Sequence, residues 1–371
     1  MSQDDHGRSP SGTPFFLWPL IAAAAASEAM ATQAGHFARL MVAAGSSPGR
    51  PPRPDWTTPH RVRLELGTME LRDFSRGDGG TAVLVCTPFA LHGSTMADFA
   101  PGHSLVQALA DNGCRRLFVT DWRSSSEEMR LLTIDNYLAE LNVAVDEVGA
   151  PVDLVGLCQG GVMALIFAAR YPAKVRKLVL AGAPIDLAAE PSLLSAVTQH
   201  LPLGVFDEIV RLGEGRVLGR RVLDLWEPAL KGREGAVVLQ LQTSDDAEVA
   251  GLLRRFRDWF AWTVDLPGPY YRQTVQWLFK ENRLAEGRFV ALGRTVDLGE
   301  VRQPLYLLAA RDDELVAPGQ LLAARRLVGT KPDLIESTIE PCGHLGLFVG
   351  ANTLQQAWAN VARWLGQASS T

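Results

Sequence analysis

The sequence predicts an α/β fold in which helices cover both faces of a mostly parallel β-sheet. The first observation is a set of five short apolar runs, rich in β-branched residues and typical of buried strands. The second is that segments with helical periodicity separate the first four runs. The runs are TAVLVC (81–86), RLFVTD (116–121), VDLVGL (152–157), KLVLAG (177–182) and PLYLLAA (304–310).

An antiparallel hairpin is expected before the parallel strands. Residues 61–66 (RVRLEL) and 69–74 (MELRDF) alternate polar and apolar side chains, and a Gly-Thr pair separates them. This pattern is typical of half-buried strands joined by a tight turn. We therefore assign residues 61–184 and 304–371 to the core domain.

The regular alternation of strands and helices stops at Pro184 and resumes near Pro304. The intervening segment is rich in Trp, Phe, Arg and Leu. We predict that residues 185–303 form a cap inserted into the core.

Residues 1–60 are expected to form an apolar helix followed by a Pro-rich linker. The apolar stretch at residues 15–26 (FFLWPLIAAAAA) is too short to span a bilayer, so no transmembrane span is predicted. The preceding residues carry more acid than base, unlike a secretory signal. A helix lying on the protein or on an apolar surface is favoured, with a signal peptide and a membrane anchor as the alternatives.

Charge and cysteine usage exclude several classes of protein. The chain has 36 basic and 41 acidic side chains without long runs of either sign, so no nucleic-acid partner is expected. Its four cysteines fit neither a disulfide framework nor metal-ligand spacing. We expect a cytoplasmic protein without a bound metal or cofactor.

The clearest chemical motif lies at the end of the third parallel run. Residues 156–161 read GLCQGG, and a helical segment follows at once. This is the pattern of the nucleophile elbow in the α/β-hydrolase fold, with Cys158 in the position usually held by serine. The helix N-terminus would stabilise a thiolate, and the backbone N–H of Gln159 would face the oxyanion hole. The alternative is a buried cysteine in a tight turn.

Such a nucleophile requires an acid and then a base later in the chain, each on a loop after a strand. Asp313 follows PLYLLAA and His344 follows LIESTIE, so they are the candidates. Asp312 is the alternative to Asp313, and a surface histidine is the alternative reading of His344.

The loop after the first parallel run supplies the second oxyanion donor in this fold. We choose the backbone N–H of Phe89. His92 is either a substrate contact or an ordinary loop residue. Cys86, Cys114 and Cys342 are expected to be packed as small apolar side chains.

On these motifs the chain resembles the polyhydroxyalkanoate synthases, particularly the short kind that works with a partner subunit. The similarity covers roughly residues 80–366. It includes the GLCQGG elbow, residues 121–123 (DWR), residues 265–284 (DLPGPYYRQTVQWLFKENRL), and the loops of Asp313 and His344. The resemblance implies that Cys158 carries the growing hydroxyacyl chain and that His344 deprotonates the Cys158 thiol. It also implies that Asp313 acts on the hydroxyl of the incoming hydroxyacyl-CoA. Glu314 departs from the family, which commonly has histidine there.

Three functions follow. The leading hypothesis is an acyltransferase that forms a Cys158 acyl-enzyme from a 3-hydroxyacyl-CoA and passes it to a polyester. The second is a depolymerase or thioesterase, because residues 343–348 (GHLGLF) also resemble intracellular polyhydroxyalkanoate depolymerases. The third is a non-catalytic protein of the granule surface. Expected partners are hydroxyacyl-CoA or the polymer, with a second synthase subunit or a second copy of the chain, at the surface of polyester granules.

Overall fold

The computed structural model describes residues 51–222 and 246–368. The apolar helix predicted around residues 15–26 lies outside the described residues. Within the described part of the chain, no helix has both the length and the apolar character needed to cross a membrane.

An eight-stranded sheet forms the centre of the molecule, in the spatial order β1-β2-β4-β3-β5-β6-β7-β8. The strands β3 to β8 run parallel, whereas the hairpin β1–β2 packs antiparallel along β4. The predicted hairpin and the predicted parallel strands are confirmed. The strands are β1 (Arg61–Glu65), β2 (Met69–Asp73), β3 (Val83–Cys86), β4 (Leu117–Trp122), β5 (Val152–Leu157), β6 (Val175–Ala181), β7 (Leu305–Ala310) and β8 (Ile335–Glu340).

Helices cover both faces of the sheet. The core helices are α1 (Leu105–Asp111), α2 (Ile134–Val148), α3 (Gln159–Arg170), α8 (Pro318–Leu322), α9 (Ala324–Leu327), α10 (Gly346–Val349), α11 (Ala351–Thr353) and α12 (Ala359–Gly366), with a π-helical stretch at Leu354–Trp358 before α12. Short 3₁₀ turns lie at Ser94–Ala97, Pro172–Lys174, Leu298–Glu300 and Pro332–Leu334.

Successive residues of the central strands pack into two different apolar layers. Leu154 of β5 belongs to the layer that contains α2 and α3, whereas Val155 belongs to the layer that contains α1 and α12. Leu178 and Val179 of β6 divide in the same way. Since both faces are buried, these strands consist almost entirely of apolar residues, which made them recognisable in the sequence.

Between β6 and β7, the described residues contribute no strand to the main sheet. They form α4 (Leu193–His200), α5 (Leu203–Leu212), α6 (Asp246–Ala261), α7 (Gly268–Gln273) and a π-helical continuation at Thr274–Lys280. Short strand pairs join Arg216–Val217 to Leu266–Pro267 and Val290–Ala291 to Arg294–Thr295, and Asp98–Ala100 pairs with His103–Ser104 in the core. The cap boundaries of 185 and 303 stay a prediction.

Residues 55–58 bond both to Asp98 and to helix α6. Buried Asp98 accepts the backbone N–H groups of Thr57 and Thr58, each at 2.7 Å, and the Thr58 hydroxyl at 2.8 Å. Arg255 of α6 donates to the carbonyl oxygen of Asp55 at 2.9 Å and to the Thr57 hydroxyl at 2.8 Å. This stretch, expected from its sequence to be part of a linker, therefore bonds to two segments that lie far apart in the sequence.

Candidate active site

Cys158 occupies a sharp turn between β5 and α3. Its backbone has φ of 49° and ψ of −123°, in the left-handed region that is uncommon for residues other than glycine. Its N–H donates to the carbonyl oxygen of Ala181 at 2.8 Å, and its own carbonyl accepts the N–H of Gly161 at 2.9 Å. The turn is thus held by the neighbouring strand and by the first turn of the helix.

Glycines flank Cys158 because the turn has no room for side chains. A Cβ atom on Gly156 would lie 2.4 Å from the Cα of Gly161. A Cβ on Gly160 would lie 2.2 Å from the carbonyl oxygen of Cys86 and 2.6 Å from that of Thr87. The N-terminus of α3 therefore packs directly on the segment that leaves β3.

His344 and Asp313 meet on two loops that follow adjacent strands. The Nδ1 atom of His344 lies 2.7 Å from Oδ2 of Asp313. The other oxygen of Asp313 accepts the backbone N–H groups of Leu315 at 2.9 Å and Val316 at 2.8 Å. The neighbouring Asp312 side chain is exposed. Of the two aspartates that the sequence left open, Asp313 is the one that contacts His344.

Asp313 lies behind His344 and is closed off from solvent. Its side chain is 0% exposed, and that of His344 is 5% exposed. Since both carboxylate oxygens already accept hydrogen bonds, the geometry favours a carboxylate that acts through His344. Direct contact with an incoming hydroxyl, the role implied by the resemblance, would require these bonds to rearrange.

Two opposing effects act on the pKa of His344. Burial is the largest single cause and lowers it, but the charges of Cys158 and Asp313, and hydrogen bonds to both, together raise the pKa well above its usual value. The side chain of His344 therefore interacts with both Cys158 and Asp313, and both neighbours favour its charged form.

A second acidic side chain, Glu314, lies beside this pair. Burial is the largest cause that raises its pKa, and the charge of Asp313 acts in the same direction. The charge of His344 and a hydrogen bond from the His344 backbone oppose the shift. The residue that departs from the synthase pattern is thus a half-buried carboxyl group in contact with the His344 loop.

The candidate oxyanion donors lie on the two segments that Gly160 brings together. Gln159 is the first residue of α3, where backbone N–H groups have no acceptor within the helix. Phe89 lies on the segment after β3 and is 3% exposed. The Gln159 side chain is also buried and reaches Thr274 of the cap, its Nε2 atom lying 3.4 Å from Oγ1.

His92 faces the cap. Its ring lies 4.6 Å from that of Trp259 and 4.7 Å from that of Phe260, measured between centroids. Burial is the main cause that lowers the pKa of His92, to about 4. The side chain is therefore neutral near pH 7 and packs as an aromatic residue.

The remaining thiols are protonated at neutral pH. Burial raises the pKa of Cys86 and of Cys114 to about 12, and that of Cys342 to about 11. All four cysteines are free. Cys86 and Cys114 are buried as predicted, whereas Cys342 is half-buried near Thr353.

A sheet of this topology with a nucleophile elbow defines an α/β hydrolase. The family model described as the alpha/beta hydrolase fold matches residues 89–351, more than half of the chain, and the chain belongs to this family.

Among curated proteins, the chain is similar to the poly(3-hydroxyalkanoate) polymerase subunit PhaC of Allochromatium vinosum, with 27% identity over 278 residues, covering 73% of this chain and 77% of that protein. The corresponding subunit of Synechocystis is 29% identical over 286 residues, covering 73% and 74%. These similarities confirm the resemblance seen in the motifs.

Solved structures agree on the fold. The putative lipase lip1 of Acinetobacter baumannii matches with a TM-score of 0.52 and 13% identity, covering 83% of this chain and 92% of that one. A monoacylglycerol lipase of Paleococcus ferrophilus matches with a TM-score of 0.53 and 14% identity, covering 80% and 98%. At such identities the likeness concerns the fold alone.

Proposed function

We propose that the protein is an acyltransferase of polyhydroxyalkanoate metabolism. It forms an acyl-enzyme on Cys158 from a 3-hydroxyacyl-CoA and transfers the acyl group to the hydroxyl of a growing polyester. The observation that carries the proposal is the buried His344, which is hydrogen-bonded to Asp313 and to Cys158, the latter at a turn with positive φ. The similarity to poly(3-hydroxyalkanoate) polymerase subunits supports the substrate class.

The first half-reaction exchanges one thioester for another. The Cys158 thiolate attacks the carbonyl carbon of the acyl-CoA, and the N–H groups of Gln159 and Phe89 stabilise the oxyanion that forms. The bond to CoA then breaks, and His344 gives its proton to the departing CoA sulfur. Because a thioester replaces a thioester, the acyl group remains activated.

The second half-reaction makes an ester. The acceptor hydroxyl attacks the acyl carbonyl carbon, His344 takes the hydroxyl proton, and the Cys158 sulfur leaves as a thiolate. The thiolate and the imidazolium of His344 are thereby restored for the next cycle. Asp313 acts by holding the imidazole in the required tautomer and orientation.

The proposal extends to partners and location. The relatives are named polymerase subunits, which supports a complex with a second polypeptide. That polypeptide is either a different synthase subunit or a second copy of this chain. We place the protein in the cytoplasm at the surface of polyester granules, where its product would accumulate.

Incubation of the purified chain with 3-hydroxybutyryl-CoA tests this function. We expect release of CoA, a mass increase of one acyl group on Cys158, and oligomeric or polymeric 3-hydroxybutyrate. Free 3-hydroxybutyrate as the sole product would establish a hydrolase instead. Failure to acylate Cys158 would contradict both readings and leave a granule-binding role.

A further inference from the structure

One cap helix contacts both residues assigned to the oxyanion hole. The hydroxyl of Tyr270, in α7, lies 3.3 Å from the carbonyl oxygen of Phe89 and donates to it. Four residues later, Thr274 accepts from the Gln159 side chain at 3.4 Å. The Thr274 hydroxyl donates to the Tyr270 carbonyl oxygen at 3.0 Å, which joins the two contacts.

These groups are enclosed. Tyr270 is 1% exposed, Thr274 is 5% exposed and Gln159 is 9% exposed. Both contacts to the oxyanion residues are longer than usual hydrogen bonds, as is common in catalytic sites without substrate. Water does not compete for these groups, so each contact can fix the position of its partner.

Aromatic rings also pack against the Phe89 side chain. The Phe89 ring stacks on Tyr137 with 4.7 Å between centroids and lies 5.1 Å from the ring of Tyr270. The indole N–H of Trp122 donates to the Thr87 carbonyl oxygen at 2.8 Å, two residues before Phe89. The segment after β3 is therefore fixed by core and cap residues together.

The helix changes its hydrogen-bonding pattern where these contacts occur. The α-helical turn ends at Gln273, and a π-helical segment begins at Thr274. Segments of π-helix inside α-helices are frequent at functional sites, because they rotate side chains out of the regular α-helical register. Here the change of pattern begins at the residue that meets Gln159.

We propose that Tyr270 and Thr274 are positioning residues that set the separation of the two oxyanion donors. Tyr270 restrains the carbonyl group of Phe89, in the peptide unit that follows the donor N–H, and Thr274 restrains the side chain of Gln159, the residue that begins α3. Neither side chain touches the reacting atoms. This inference rests on the proposed acyl transfer, and it makes the cap part of the catalytic apparatus.

The variants Tyr270→Phe and Thr274→Val each remove one contact. We expect the single-turnover rate of Cys158 acylation by 3-hydroxybutyryl-CoA to fall about 10-fold in each, less than the roughly 100-fold or greater loss that follows removal of a donor itself. The substrate concentration for half-maximal rate should change less than about twofold, since the ground-state carbonyl gains little from the hole. Thr274→Ser keeps the hydroxyl and should restore the rate.

Tyr271→Phe is the matched control, because it removes a hydroxyl from the next residue of the same helix, whose ring faces Phe206 at 6.2 Å. It should acylate at the parent rate. An aldehyde analogue, which forms a tetrahedral adduct on Cys158, should bind about 10-fold more weakly to Tyr270→Phe and Thr274→Val than to the parent.

Unchanged acylation rates in Tyr270→Phe and Thr274→Val would overturn the inference, as would an equal loss in Tyr271→Phe. A higher substrate concentration for half-maximal rate, at an unchanged maximal acylation rate, would also overturn the inference, since the two residues would then bind substrate. If the parent chain fails to acylate Cys158, the proposed function itself falls. That result is distinguishable from failure of the positioning role, which leaves the parent active.

Discussion

His344 lies between Cys158 and Asp313, and its bond to Asp313, 2.7 Å long, is enclosed by the loops that follow β7 and β8. Burial lowers the pKa of the imidazole, but the charges of Cys158 and Asp313 both raise it, so both neighbours stabilise the protonated ring. This relationship determines how substitutions at each of the three residues should behave.

Cys158→Ala should abolish acylation and lower turnover by about 10⁴-fold or more, because the nucleophile is lost. The half-buried sulfur contributes little to the core, so the free energy of unfolding, measured at a pH above the folded pKa of His344, should change by less than about 1 kcal/mol. Release of CoA and thermal unfolding measure the two effects. Cys114→Ala is the control, as it removes a protonated thiol and should keep full activity. Substantial activity in Cys158→Ala would transfer the nucleophilic role elsewhere.

Asp313→Asn should slow acylation and transfer together, because an enclosed carboxylate bonded to His344 acts on both steps through the imidazole. We expect a loss of roughly 10³-fold or more in each, measured by burst kinetics of CoA release. Asp312→Asn should resemble the parent, since that side chain is exposed. An Asp313→Asn protein that loads one acyl equivalent at the parent rate and then stalls would instead assign the carboxylate to the incoming hydroxyl.

The pKa of His344 should fall in Cys158→Ala, because the sulfur charge that raises it is removed. Nitrogen chemical shifts of the imidazole, followed against pH, measure this directly. In the parent, the raised pKa stabilises the fold below the unfolded value of about 6.5, and this contribution is lost as pH rises through the folded pKa. The decline of unfolding free energy above neutral pH should therefore be shallower in the variant. An identical titration in both proteins would contradict the charge pair.

Gly160→Ala should destabilise the protein by more than about 3 kcal/mol, because its Cβ would overlap the backbone oxygens of Cys86 and Thr87. Gly251→Ala in α6 is the matched helical control, since an added Cβ there meets nothing within 4 Å. That control should be neutral or stabilised by up to about 1 kcal/mol. Urea denaturation compares the two. Equal stability of both variants would show that α3 can move away from the β3 segment.

A chain that starts at residue 51 should keep the fold, as it retains the contacts of Asp98 with Thr57 and Thr58. A chain that starts at residue 61 removes those donors from a buried carboxylate and should lose about 3 kcal/mol or more of unfolding free energy. Denaturant titrations of both truncations measure the difference. Insolubility of the chain that starts at residue 51 would show that residues 1–50 belong to the core.

The sheet could be predicted because its strands are buried on both faces and appear as apolar runs at regular intervals. The residues of the candidate site could be named because each stands at the end of a strand within a short motif. The contacts of Tyr270, Thr274 and Arg255 could not be predicted. Their partners lie far away in sequence, and no local pattern indicates which polar groups will meet when the cap folds onto the core.

The position of Cys158 has a consequence for the product. Its backbone lies between a central strand and a helix whose residues 159–169 are all buried, so the Cα of Cys158 is held in place. Under the proposed transfer, a growing polyester would therefore have to move while its point of attachment to the backbone stays in place.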